Sequence, residues 1–283
     1  MSIVLAREDY WELLVAIAAG IVQGIVEWLP VSSQGNLSLF LTAIGTEPDA
    51  ALQLALFLQF GTTLSSAAYY RADIIESLRT IPTWQPRSAF EKENALPSFI
   101  VIASLVTGVI GLPVYIVAID VVSELSGGVF IAVIGILLIL TGIAQIASES
   151  VSLADRTEPT LTDAVLIGGL QGLAILPGIS RSGITTSGLL FRSYDPPAAF
   201  RLSFLLSIPA GIGAGLLILV TEGGIPGVNL VSAVVALAMS AIVGYVTIGT
   251  LIRIVERVPF WLVCFGLGGL AIVGGGGVAV LTA

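Results

Sequence analysis

The chain contains no histidine. That removes imidazole as a general base, nucleophile, metal ligand or pH switch, so its chemistry must run on carboxylates, hydroxyls, amides and guanidinium groups. Lysine is almost missing too. Of eleven basic residues only Lys92 is a lysine, against nineteen acids, for a net charge of −8. This acid-rich, lysine-poor balance points to a salt-loving host, and no nucleic acid is expected as a partner. One cysteine, Cys264, lies in an apolar run. Alone it forms no internal disulfide, and it reads as a small buried hydrophobe. Charge of either sign is scarce: 11% of residues, where a soluble domain carries about 25%. No polar stretch is long enough to be a soluble domain, and with Glu8, Asp9 and Glu12 before the first apolar run no secretory signal is expected.

What fills the chain is apolar: 56% of the 283 residues are hydrophobic and the mean hydropathy is +1.03. This is the composition of an all-α integral membrane protein, one membrane domain over residues 1–283 with several spans of roughly 20 residues each. Six spans are expected, near Ala50–Tyr70, Pro97–Ile119, Gly127–Ala147, Leu202–Val220, Leu230–Leu251 and Pro259–Leu281. Two further runs are broken. Leu13–Leu29 stops at Pro30, then Ser32-Ser33-Gln34-Gly35-Asn36 precedes a short run from Leu37 to Ile44. Leu161–Leu176 stops at Pro177, and a second short run covers Ile184–Phe191. The short pieces cannot cross a bilayer, so each broken pair is expected to re-enter.

Basic residues set the orientation. Arg71, Arg79, Arg87 and Lys92 share one loop, Arg156 lies in a second, Arg192 and Arg201 in a third, Arg253 and Arg257 in a fourth. The loops near Asp120–Ser126 and Thr221–Asn229 have neither Lys nor Arg. By the positive-inside rule the first four face the cytoplasm and the last two face out. The first broken pair then dips in from outside and the second from inside. Both pairs read Gln-Gly, an apolar stretch, Leu-Pro, a hydroxyl cluster and Gly, and each precedes three spans. That is the pattern of an inverted-topology repeat, residues 10–147 against 161–283, whose broken helices meet near the midplane to form a site.

The site's residues follow from cost. Leu176–Thr186 reads Leu-Pro-Gly-Ile-Ser-Arg-Ser-Gly-Ile-Thr-Thr. A guanidinium at membrane depth costs at least a few kcal/mol, so Arg181 requires an anion. Gly178 and Gly183 bracket the hydroxyls of Ser180 and Ser182, with Thr185 and Thr186 just beyond. A loop feeding a helix N-terminus there converges N–H groups, hydroxyls and an Arg fork on a phosphate. Glu27 is the only carboxylate in its apolar run, with Gln23 four residues earlier on the same helix face. Arg181 is its natural counter-charge, either across a site or as a structural ion pair. Ser32 and Ser33 supply more hydroxyls than capping needs. Gln59 and Gln171 are cavity candidates or interhelical hydrogen bonders. Trp11, Trp28 and Trp261 are expected at the membrane interface or facing lipid.

At these loops the chain resembles the undecaprenyl-diphosphate phosphatase family, also called the bacitracin-resistance family. The family's first motif, (E/Q)-x-x-x-E followed by L-P-V-S-S-x-G-H, reads here Gln23-Gly-Ile-Val-Glu27-Trp-Leu-Pro-Val-Ser-Ser-Gln-Gly-Asn36. The second, P-G-x-S-R-S-G-x-T, is matched throughout from Pro177 to Thr185. Gln59-Phe-Gly61 and Ser203–Pro209 also look like family segments, so the resemblance covers nearly the whole chain. It implies removal of the terminal phosphate from a polyprenyl diphosphate, dependence on a divalent cation (Mg²⁺ or Ca²⁺), and six spans with two opposed re-entrant pairs opening outward in the cell membrane. The implied partners are the lipid substrate and membrane lipids, with a homodimer allowed for. The implied roles are Glu27, with Gln23, at the metal or Glu27 as general base, Ser33 as nucleophile and Arg181 as phosphate clamp. Ser32, Ser33, Asn36, Ser180, Ser182, Gly183 and Thr185 would be phosphate ligands. Two positions depart from the pattern: Asn36 replaces the family's usual His, and Gln23 is the uncharged option of its pair. If the family's His were the nucleophile the chain would be inactive. Attack by Ser33, or by a water activated by Glu27, needs no imidazole. The rival reading is a flippase or transporter that binds polyprenyl phosphate without cleaving it.

Overall fold

In the computed structural model, residues 2–149, 156–221, 229–255 and 258–282 are described. Arg257 and residues 222–228, used above to assign sidedness, lie outside them. Among the described residues no strand forms and the long elements are all helices: α1 Ser2–Val26, α2 Ser33–Ala43, α3 Pro48–Tyr69, α4 Arg71–Thr80, α5 Ala95–Ser123, α6 Gly127–Glu149, α7 Leu161–Leu173, α8 Arg181–Phe191, α9 Pro196–Thr221, α10 Leu230–Val255 and α11 Phe260–Thr282.

Five of them, α5, α6, α9, α10 and α11, are long and apolar enough to cross a membrane, and the chain is a multi-pass membrane protein. The sixth expected span, Ala50–Tyr70, is α3. It has 22 residues but is not apolar enough to be counted with the five. Gln53, Gln59, Thr62, Thr63, Ser65 and Ser66 are buried along it. Neighbouring helices rather than lipid cover that polar stripe: α10, α9 and α2 all pack on α3. Elsewhere α1 packs chiefly on α10, α7 on α5, and α6 on α11. Close approach makes the last contact possible, since a Cβ on Gly135 would sit 2.5 Å from the Gly268 carbonyl oxygen and one on Gly268 2.7 Å from that of Gly135.

The broken pairs are confirmed as breaks, with shifted edges. α1 ends at Val26 and α7 at Leu173, each three residues before the apolar run does. α2 and α8 begin at Ser33 and Arg181 rather than at the apolar residues beyond. The cause is capping. Ser32 Oγ accepts from Gly35 N, and Ser180 Oγ accepts from Gly183 N, so the hydroxyl clusters become first helical turns. Trp28 corrects an expectation. It is not interfacial but 1% exposed, packed beside Phe204 and Ile248, and its indole N–H donates to the Gly244 carbonyl at 3.1 Å. A buried indole needs such an acceptor. Trp11 does lie exposed, and Cys264 is fully buried.

At the start of α7 a capping box joins Thr160 and Asp163. Asp163 is completely buried and also accepts from Arg156 (2.6 Å), Arg192 (2.7 Å) and the Tyr194 hydroxyl (2.8 Å), tying the start of α7 to the end of α8. Burial alone would raise the pKa of this carboxyl. The hydrogen bonds from Thr160, Arg192 and Tyr194 outweigh it and hold the group below its ordinary value. A depressed folded-state pKa contributes stability that is complete above the unfolded pKa, near 4, and is lost as pH falls through the folded value. Asp163→Asn is therefore expected to cost about 2 kcal/mol at neutral pH. Its thermal midpoint in detergent should lie well below that of the parent at pH 7 and approach it in acid.

Candidate active site

The two breaks meet. Gly178 N donates to Ser32 Oγ at 3.0 Å, and a Cβ on Gly35 would stand 2.8 Å from Gly178 N. Ser32 takes this position at φ +60° and Gly178 at φ +106°. For serine the left-handed region is sparsely populated, a strain that surroundings must hold. Ser32 Oγ accepts from both loops, from Gly35 N at 3.2 Å as well as from Gly178 N, and so fixes them to each other.

Glu27 sits in the turn just past α1, 5% exposed, at the centre of the junction. Its Oε2 accepts from Gln23 Nε2 at 2.8 Å and Ser33 Oγ at 2.6 Å. Its Oε1 accepts from Gln59 Nε2 at 3.4 Å and pairs with Arg181 Nη2. One carboxylate thus gathers an amide from its own helix, a hydroxyl from α2, an amide from α3 and a guanidinium from α8. The Arg181 side chain is 10% exposed, and its Nε and Nη1 have no hydrogen-bond partner among the described residues. Buried guanidinium N–H groups without acceptors are costly, and an anion is what relieves them. The pocket that Arg181 lines also takes in Glu27, Ser32, Ser33, Gln59, Ser180 and Ser182 among others. It is closed down to about 10 Å³, too small for a phosphate while the ion pair stands.

Beside it lies a much larger apolar cavity of about 570 Å³, between α5, α7 and α9. Gln34, Gln59, Ala174 and Arg181 line both. On its α5 wall Leu105 and Val109 are exposed on the apolar flank of the protein.

The expected site residues are therefore distributed unevenly. Glu27, Ser32, Ser33, Ser180, Arg181 and Ser182 share the pocket, and Gln59 borders it. Gln23 stands behind Glu27. Asn36 turns the other way: its Nδ2 donates to the carbonyls of Val31 (2.6 Å) and Ser32 (2.9 Å), bracing its own loop. Thr185 bonds back to the Arg181 carbonyl and to Ser203 Oγ at 2.6 Å, and Gly183 contributes its N–H to the Ser180 cap. Gln171 belongs to the apolar cavity, donating to Thr107 Oγ1 and the Leu206 carbonyl. Gln34 was not singled out from sequence. It lies between Ser33 and Gly35 and bonds Gln59 Oε1 at 2.9 Å, and a polar residue in a membrane-depth break was the available signal.

Oxygen donors for a cation are few. Among the described residues no three His, Cys, Asp or Glu side chains cluster. Glu27 offers one carboxylate, and Gln23 Oε1 and Gln34 Oε1 are buried amide oxygens without partners. That set fits a hard divalent ion that takes most of its ligands from phosphate oxygens and water, not one caged by protein alone.

Comparison with known proteins gives a consistent answer. Residues 16–270 match the family described as bacitracin resistance protein BacA. The chain is 50% identical over 264 residues to a protein named undecaprenyl-diphosphatase from the halophile Haloarcula marismortui, covering 93% of this chain and 97% of that one. It is 41% identical to the undecaprenyl-diphosphatase of Methanococcoides burtonii (91% and 96% covered) and 37% identical to that of Methanopyrus kandleri (92% and 95%).

Proposed function

Because the chain belongs to the bacitracin resistance protein BacA family, we propose that it is an undecaprenyl-type diphosphate phosphatase, cleaving a polyprenyl diphosphate to the monophosphate carrier and inorganic phosphate. The observation that carries this reading is Arg181: paired to Glu27 through Nη2, with two buried N–H groups left without acceptors, beside a hydroxyl bonded to the same carboxylate. A flippase also needs a phosphate clamp, but the 2.6 Å Ser33–Glu27 contact is a nucleophile–base arrangement that binding alone does not require.

The chemistry runs on these groups. An incoming terminal phosphate competes with Glu27 for Arg181. As the guanidinium turns to the phosphate, the carboxylate is left to the Ser33 hydroxyl. Ser33 Oγ attacks the terminal phosphorus, its proton passes to Glu27 Oε2, and the bond to the bridging oxygen breaks, so the polyprenyl monophosphate leaves with the electron pair. Water then attacks the phosphoseryl phosphorus. Inorganic phosphate departs, and Ser33 Oγ recovers a proton from Glu27. Arg181, with Ser180 and Ser182 near it, stabilises charge on the equatorial oxygens of the transferred group. Glu27, Gln23 and Gln34 would hold a divalent cation, Mg²⁺ or Ca²⁺, which neutralises diphosphate charge when bound. Asn36 holds the loop and has no part in proton transfer, so the missing histidine costs no step. The test is phosphate release from farnesyl diphosphate by the purified protein, with acid quenching to trap labelled phosphoserine. Release with label at Ser33 is expected, and Ser33→Ala should lose both. Release without any protein-bound label would replace Ser33 by water as the nucleophile, and no release would leave the flippase.

The apolar cavity is the seat of the tail. Gly108 on α5 and Gly213 on α9 both line it, and a Cβ at either meets nothing within 4 Å. Gly213→Phe should fill that space and raise KM for a long-chain diphosphate about 10-fold, with geranyl diphosphate turned over as before. An unchanged KM for the long chain would move the tail elsewhere.

The finer topology belongs to the same reading: six spans, with α3 as the sixth, and two re-entrant pairs, α1–α2 from outside and α7–α8 from inside. Its support is the reciprocity of the packing. α1 on α10 is matched by α7 on α5, and α6 on α11 and α3 on α9 pair equivalent helices of the two halves. A site at the junction of such halves fits the family expectation of an outward opening.

A further inference from the structure

Both breaks leave backbone carbonyls and N–H groups unpaired at membrane depth, and each must find a partner inside the protein. Several of those partners stand on one helix. On α6, Thr141 Oγ1 donates to the Gly178 carbonyl at 3.1 Å and accepts from Ser180 N at 3.1 Å, spanning the second loop from the residue after Pro177 to the cap that precedes Arg181. One turn later Gln145 Nε2 donates to the Pro30 carbonyl at 2.5 Å, the proline of the first loop. The same carbonyl takes the Cys264 thiol at 3.5 Å. Gln145 also lies against α8, where a Cβ on Gly183 would stand 3.0 Å from its Nε2. A turn further on, Ser148 Oγ meets Ser187 Oγ at 3.3 Å. Positions 141, 145 and 148 share one face of α6; Thr141 and Gln145 reach the two breaks, and Ser148 reaches the middle of α8.

We propose that Thr141 and Gln145 are positioning residues that hold the two site loops in mutual register, so that Glu27 and Ser33 from one half face Arg181 from the other. This rests on the phosphatase reading of the same site. Neither residue touches the pocket. Each acts through a loop: Thr141 on the segment that starts α8 and aims Arg181, Gln145 on the turn that carries Glu27 and Ser33. α6 is suited to the task because α11 packs along it, with glycines in close contact on both sides, so its face is a rigid reference for both loops. A direct bond between the loops, Gly178 N to Ser32 Oγ, sets their separation. The two α6 contacts set their height relative to each other.

Orphan backbone groups would need partners even in an inert protein, so the test separates register from mere satisfaction. Thr141→Val keeps shape and removes the hydroxyl; Thr141→Ser keeps the hydroxyl; Gln145→Leu removes the amide. Each is purified, its folded fraction measured, and phosphate release from farnesyl diphosphate followed per folded molecule. A misplacement of about 1 Å costs on the order of 10²-fold in rate. Thr141→Val and Gln145→Leu should thus lower kcat about 10- to 100-fold with KM within about 3-fold, and Thr141→Ser should retain wild-type turnover. Because both contacts serve one register, the double variant should lose little more than the worse single. Variants that fold less well but turn over normally per folded molecule would overturn the proposal, as would a double variant whose losses multiply. A wild type that releases no phosphate fails the phosphatase reading and this inference together; an active wild type matched by Thr141→Val fails this inference alone.

Discussion

Arg181→Ala is expected to lower phosphate release by about 10³-fold or more in kcat, the range an arginine supplies to a transferring phosphoryl group. Among the described residues Arg181 is the one guanidinium that lines the pocket, and its buried Nε and Nη1 have no acceptor. Arg181→Lys keeps a positive charge but gives up the planar fork, so it should recover part of the loss and not all. The alanine variant carries a second consequence. It leaves Glu27 buried without its counter-charge, and breaking a buried pair from one side costs about 3–5 kcal/mol. The stability loss is separable from the catalytic loss by Arg181→Ala/Glu27→Gln, which removes both charges. That double variant should regain a thermal midpoint near the parent's and remain inactive. Restored turnover in it, or wild-type turnover in Arg181→Ala, would discard the mechanism.

The site was legible in sequence where its residues were expensive. A guanidinium at Arg181 and a carboxylate at Glu27 in so apolar a chain demand each other, and the structure pairs them. The proline-ended runs announced the breaks for the same reason, since irregular backbone at membrane depth needs a cavity. Cheap residues were not legible. Thr141 and Gln145 were not singled out, because the carbonyls they serve belong to loops far off in sequence. α3 read as a span like the others because its hydropathy averages over a buried polar face and an apolar one. Trp28 read as an interfacial or lipid-facing residue, because its acceptor, the Gly244 carbonyl, is more than two hundred residues away. Asn36 stands at a motif position that suggested substrate, yet an amide there finds two carbonyls of its own loop first.

Glu27→Gln is the companion experiment, and it probes charge at almost constant shape. The carboxylate accepts four hydrogen bonds, from Gln23, Ser33, Gln59 and Arg181. A glutamine keeps one acceptor oxygen and puts an NH₂ where the other stood, facing donors. The Ser33 hydroxyl then loses its proton acceptor and Arg181 its counter-charge. General-base assistance is worth about 10²–10⁴-fold, so turnover should fall by at least about 10²-fold. The cation dependence should change as well. Among the described residues Glu27 is the one carboxylate at the pocket, and a hard divalent ion exchanges a charged ligand for a neutral amide at a large cost in affinity. In the residual activity of Glu27→Gln, half-saturation by Mg²⁺ should move to much higher concentration. Glu27→Asp, which keeps the charge one methylene further back, should leave the Mg²⁺ titration closer to wild type than it leaves kcat. If the glutamine variant titrates with Mg²⁺ as the parent does, Glu27 is not a ligand. The ion would then be held by the diphosphate itself, and the carboxylate's task would reduce to Ser33 and Arg181.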